Sequence, residues 1–148
     1  MDSFTVAVPS FVKDSLNVDT TLYEIESVTV DVASYVMGYH VYKSKWTPQV
    51  GELLSCCNEP TNPVDKYALA VWKGEDIVGH LMQGKSGKFA KSIFYFMRAS
   101  HCNKCSVIVT GNPVNLGKGE GMQVPCIIKI TGIPLMIKTL QKALPDEF

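Results

Sequence analysis

Asp65 is the first residue in this chain whose setting suggests chemistry. It closes the stretch Glu59-Pro60-Thr61-Asn62-Pro63-Val64. Pro60 and Pro63 each fix a backbone dihedral, and Asn62, placed before Pro63, is biased to an extended conformation. The loop is therefore stiff. Asp65 is predicted to cap a short helical turn through Lys66, Tyr67 and Ala68. A carboxylate held this way accepts from hydroxyls and amides and repels phosphate. A second set is cationic. Lys88, Lys91, Tyr95 and Arg98 recur at helical spacing, opposite an apolar face of Phe89, Ile93, Phe96 and Met97. That stripe is either a solvated outer face or a surface that follows a phosphate backbone, with an aromatic among the cations.

Two other motifs lead nowhere on closer reading. Gly79-His80-Leu81-Met82-Gln83-Gly84-Lys85-Ser86 has the spacing of a phosphate-binding loop and lies between a predicted strand and a predicted helix. No later strand ends in the carboxylate that would help hold the metal. The strand before the motif also reads as the second arm of a hairpin, so nucleotide binding at 79–86 ranks a distant third. The weaker role left to Lys85 is a grip on one nucleic-acid phosphate at the helix start. Cys102 and Cys105 stand behind His101 as half of a possible zinc site. The other half would be Cys56 and Cys57, strand neighbours that point to opposite faces. No metal and no cofactor are expected. His40, His80 and His101 are isolated, and no catalytic constellation is visible, so the chain is not expected to be an enzyme.

The elements that must position these residues follow from periodicity. Val28, Val30 and Val32 alternate with polar or small residues, so a strand begins near Glu26 and runs to Met37. Gly38 allows a bend, and Tyr39 to Tyr42 is predicted to resume an extended segment. Leu53 to Cys57 is a strand. Leu69–Trp72 and Ile77–Leu81 form a hairpin around Gly74. Ser86 to about Ala99 is a helix, and strands follow at Ser106–Thr110 and Val124–Thr131, with Asn115 to Gly121 as a loop. A closing helix has Pro134 in its first turn. Residues 1–24 read as an N-terminal extension, and 25–148 as one domain. The fold class is mainly β with two helices, a small, partly open β-barrel of six strands.

Composition narrows the choice of partner. The 148 residues are 46% hydrophobic with a formal net charge of zero. No apolar run approaches a membrane span. The opening residues lack the basic start and apolar core of a secretion signal. Five cysteines, an odd number, then argue for free thiols and an intracellular setting. The charges are unevenly placed: acids dominate Asp2 to Asp31, whereas Ile77 to Gly119 holds cations and no acid. Such a basic half suggests an anionic partner.

Glu59-Pro60-Thr61-Asn62-Pro63-Val64-Asp65, the strand after it, and then Val78-Gly79-His80-Leu81 resemble a HIRAN domain. Gly38 with Tyr39-His40-Val41-Tyr42, and Gly51-Glu52, fit the same layout. The resemblance spans roughly Glu26 to Thr131. It implies a six-stranded barrel related to the OB-fold, in a family found in DNA-remodelling and replication-fork proteins, which would place a eukaryotic member in the nucleus. It implies capture of the 3′ end of single-stranded DNA, with Asp65 on the terminal 3′-hydroxyl. His40, Tyr42 and Lys66 would line that pocket, and Lys85, Lys88, Lys91 and Arg98 would attract the strand. Two family aromatics are missing: Val64 stands before the motif Asp, and Val41 where the first of two tyrosines is expected. Tyr42, His40, Trp46 and Tyr67 are the candidate substitutes. The rival expectation is a protein-interaction scaffold on the same fold that no longer binds DNA.

Overall fold

The longest strand organises the barrel. In the computed structural model, which describes residues 4–6, 25–84, 87–117, 119 and 121–144, strand β2 (Ile25–Met37) follows β1 (Phe4–Val6). Next come α1 (Tyr39–Tyr42), β3 (Leu53–Asn58), the hairpin β4 (Leu69–Lys73) and β5 (Asp76–Leu81), and α2 (Lys88–Ala99). Then come β6 (Lys104–Val109), β7 (Val114–Asn115), β8 (Met122–Gly132) and α3 (Pro134–Ala143). Six strands in the order β2-β5-β4-β3-β6-β8 pair antiparallel, and β8 returns to β2 over Val28–Val36, which closes the barrel. β1 and β7 extend β2 and β8 beyond the closed ring.

Alternation explains the strands. In β8 the side chains of Val124, Cys126, Ile128 and Ile130 are buried, and their neighbours Ile127, Lys129 and Thr131 are not. Cross-strand pairs lock the register of closure: Thr29 and Thr131 share a 2.7 Å hydroxyl bond. Lys129 reaches Asp31 at 3.2 Å on the outer side. Where β2 leaves β8 for β5, the backbones crowd. A Cβ on Gly79 would lie 2.7 Å from the Met37 carbonyl oxygen and closer still to Val36. Only glycine fits there.

Helix α2 covers the barrel with Phe89, Ala90, Ile93, Phe94 and Phe96. Each large side chain so buried contributes about 1.5–3 kcal/mol. Its C-terminal carbonyls are tied down. Asn58 Nδ2 donates to the Phe94 carbonyl at 3.1 Å. The buried Asn103 donates to the Phe96 carbonyl at 2.8 Å and accepts from the Ile133 amide at 3.2 Å. Asn103 thus joins the end of α2 to the start of α3.

The structure corrects the sequence reading at the short elements. Tyr39–Tyr42 is a helical turn, not an extended segment, so the described residues hold three helices rather than two. Gly38 makes the turn by adopting φ 82°, a conformation that L side chains avoid. Phe4–Val6, assigned to an extension, pairs with Ile25–Ser27. The rest of 1–24 lies outside the described residues. Val114–Asn115 forms β7 where only a loop was expected at Asn115. β5 is antiparallel to both of its neighbours, as the argument against a phosphate-binding loop requires.

Candidate functional site

Asn62 builds the loop that presents Asp65. Its Oδ1 accepts from the Val64 amide at 2.9 Å and the Asp65 amide at 3.0 Å. Its Nδ2 donates to Glu59 Oε1. Glu59 Oε1 also meets His80 Nε2 at 3.0 Å, which ties the loop to β5. Burial pushes the Glu59 carboxyl up, but the bonds from Asn62 and His80 outweigh it and hold the group below its ordinary value. The expected cap is present: Asp65 Oδ1 accepts from the Tyr67 amide at 2.9 Å.

The other carboxylate oxygen faces outward. Asp65 Oδ2 accepts from the side-chain amide of Gln83 at 2.9 Å, in an exposed bond. Each carboxylate oxygen keeps acceptor capacity beyond one bond. Asn62, Val64, Asp65, Ala68, His80, Leu81 and Gln83 line an open cleft of about 220 Å³. A second cleft of about 390 Å³ shares His80, Leu81 and Gln83 and continues to Met37 and Gly84. The Tyr42 ring lies 6.1 Å from the His80 ring, so Tyr42 backs the wall that the two clefts share. His40 is exposed, lines neither cleft and lies against Gly121: a Cβ there would lie 2.6 Å from His40 Nδ1. His80, treated as isolated in the sequence, is the histidine beside Asp65. Its role depends on β5 register, which no local spacing reveals.

A cation–aromatic cluster begins two residues further on. Tyr67 packs edge-on against Phe94, with centroids 5.4 Å apart and planes at 89°. Lys66 Nζ and Lys91 Nζ lie 5.2 and 4.9 Å from the Tyr67 ring centroid. Tyr95 donates its hydroxyl to the Tyr67 oxygen at 3.3 Å. That bond lowers the Tyr67 phenol below its ordinary value and raises that of Tyr95; Lys66 and Lys91 add to the drop at Tyr67, against burial. Arg98 stands 5.8 Å from the Phe94 ring centroid. Lys88, Lys91, Tyr95 and Arg98 are all exposed, on one side of α2, as their spacing predicts. Tyr67, named in the sequence only as a substitute, is the centre that gathers Lys66 from the loop and Lys91 and Tyr95 from the helix. Lys85 lies outside the described residues.

Trp46 is not a substitute platform. It is 2% exposed, with Nε1 bonded to Glu52 at 3.0 Å. Val64 and Val41, at the two positions of missing aromatics, are 93% and 63% exposed. Cys56 is buried and Cys57 exposed, as strand alternation demands. Among the described residues no group of three or more His, Cys, Asp or Glu is placed to hold a metal. No helix among them is long and apolar enough to cross a membrane. The bond to Cys105 and burial hold the Cys56 thiol well above its ordinary range, and burial pushes Cys126 up to about 12. Both are inert, protonated core thiols.

A closed, antiparallel, six-stranded barrel with a helix between its hairpin and its last two strands is an OB-like β-barrel. Within that class the chain has the fold of the HIRAN domain. It is similar to the crystal structure of the HIRAN domain of human HLTF, with a TM-score of 0.61 and 22% identity, over 80% of this chain and 89% of that one. It is also similar to the NMR structure of the HLTF HIRAN domain in its DNA-bound conformation, with a TM-score of 0.55 and 22% identity, over 80% and 88% of the two chains. No family model and no curated protein matches the sequence.

Proposed function

We propose that this chain is a non-catalytic module that binds single-stranded DNA and takes the free 3′-hydroxyl at Asp65. One observation carries the reading: Asp65 lines an open cleft, and its Oδ2 is bonded to an exposed side-chain amide that a ligand can displace. A terminal hydroxyl replaces the Gln83 donor one for one, whereas a terminal phosphate brings like charge against the carboxylate. The HLTF domain with the same fold has a DNA-bound conformation, which supports the ligand class. His80 lines the pocket, Tyr42 stands behind it with its ring 6.1 Å away, and Lys66 follows Asp65 in the chain. His40, which lines neither cleft, lies against Gly121. Lys88, Lys91 and Arg98 draw the strand along α2, and Tyr95 offers it a ring.

Fluorescence anisotropy tests this with a 3′-hydroxyl oligonucleotide and its 3′-phosphate twin. The hydroxyl form is expected to bind more tightly, and Asp65→Ala to erase the difference. Affinity should fall with salt at a log–log slope near −0.7 per cation engaged, about −3 for four. Equal binding of the two oligonucleotides sinks the end-reading role.

The exposed Val64 and Val41 favour one alternative, a protein-binding scaffold, because they stand where two stacking aromatics are missing. Val64→Tyr separates the two. On the DNA reading it tightens binding about 5- to 150-fold, the worth of one stacked base. On the scaffold reading no oligonucleotide binds either protein at low salt.

A further inference from the structure

We propose that the Tyr67–Tyr95 phenol pair, with Lys66 and Lys91, is a second subsite that clamps an internal phosphodiester of a single DNA strand. The inference takes its ligand class from the nucleic-acid reading above, but it does not depend on what Asp65 recognises.

Charge pairing is the first support. Three described lysines are neutralised by carboxylates, Lys45 by Asp76, Lys73 by Glu52 and Lys129 by Asp31, and others such as Lys43 and Lys104 stand apart with no ion pair among the described residues. Among the described residues no carboxylate forms an ion pair with Lys66, Lys91 or Arg98. Cations gathered without a counter-charge keep their full attraction for an external anion.

Geometry is the second. Lys66 and Lys91 come from different elements, the loop and α2, and converge on one ring. That ring is fixed by its edge contact with Phe94. Because Tyr95 is the donor in the phenol–phenol bond, the proton of Tyr67 itself remains free to point outward. The lowered Tyr67 phenol is correspondingly the better donor. A phosphodiester has two unesterified oxygens and one negative charge. A phenolic O–H and an ammonium satisfy these oxygens with charge-assisted bonds.

Position is the third. Tyr67 lies two residues beyond Asp65, so the two Cα atoms are at most about 7 Å apart. A strand whose end sits at Asp65 has its next linkages over Tyr67, and α2 then leads it past Lys91, Tyr95 and Arg98.

The test is anisotropy on the full chain with a labelled oligothymidylate, its 3′-phosphate twin, and a series carrying one neutral methylphosphonate linkage at successive positions. The variants are Tyr67→Phe and Lys91→Ala, each checked for an unchanged melting temperature. Both variants are expected to weaken the hydroxyl and phosphate forms alike, by about five- to tenfold, with their ratio unchanged. One neutral linkage near the 3′ end should weaken the wild type and leave Lys91→Ala unaffected. Variants that bind as wild type, or neutral linkages tolerated equally at every position, overturn the clamp while a 3′-hydroxyl preference would survive. Loss of that preference with the Tyr67 and Lys91 effects intact sinks the Asp65 role and leaves the clamp standing. No binding of any oligonucleotide at low salt overturns both.

Discussion

Glu59 holds the Asp65 loop through two donors. Its carboxylate receives Asn62 from within the loop and His80 from β5, and its folded-state pKa is lowered in consequence. A carboxyl with a depressed folded value stabilises the protein fully above its unfolded value, near 4.5. That contribution disappears as pH falls from there through the folded value, because the unfolded chain takes up the proton first. Thermal melting followed from pH 6 downward is expected to show an acid limb that Glu59→Gln makes shallower. An unchanged limb would place the acid sensitivity elsewhere, and Glu52 is the next group to test, since Lys73, Trp46 and Gln49 outweigh its burial. At this scale the sequence showed Asp65 and its cap, because the proline-braced loop and the capping geometry are local. It did not show Gln83 or His80, whose contacts depend on how β5 folds back onto the loop. Nor did it rank Tyr67 above the other aromatics, since the bond to Tyr95 bridges a loop and a helix.

Asn103 shows how a helix end can depend on one side chain. The sequence placed it inside a cysteine pair weighed, and set aside, as half of a zinc site. Its amide instead satisfies the Phe96 carbonyl and the Ile133 amide, and approaches the Met136 sulfur at 3.3 Å. Asn103→Leu strands two main-chain groups away from water and is expected to cost about 2–4 kcal/mol. Urea denaturation reads this as a lower midpoint with an unchanged slope. The larger elements were legible: β2, the β4–β5 hairpin, α2, β8 and α3 all carry alternation, helical spacing or a terminal proline. α1, β1 and β7 were not. A four-residue helix of Tyr, His, Val and Tyr has no periodicity and low helix propensity. It forms because Gly38 turns the chain. β1 and β7 are too short to alternate and exist only through pairing with longer strands.

The molecule as a whole is held shut by its two most distant long strands. β2 and β8 pair across nine residues each, from Val28 with Gly132 to Val36 with Val124. Everything that positions Asp65 and Tyr67 lies between those strands in the chain. Contacts of such long sequence separation are slow to find, so refolding is expected on the millisecond-to-second timescale of barrel proteins rather than that of helical bundles. Stopped-flow fluorescence of Trp46 and Trp72 measures it, and microsecond refolding would contradict the topology. During synthesis the Asp65 loop, the hairpin and α2 all emerge before the strand that seals them. Until residue 132 has left the ribosome, the nascent chain holds the Asp65 loop and the Tyr67 cluster on an unsealed sheet. The arrangement that brings Asp65 and Tyr67 together on a closed barrel therefore arrives in one late step.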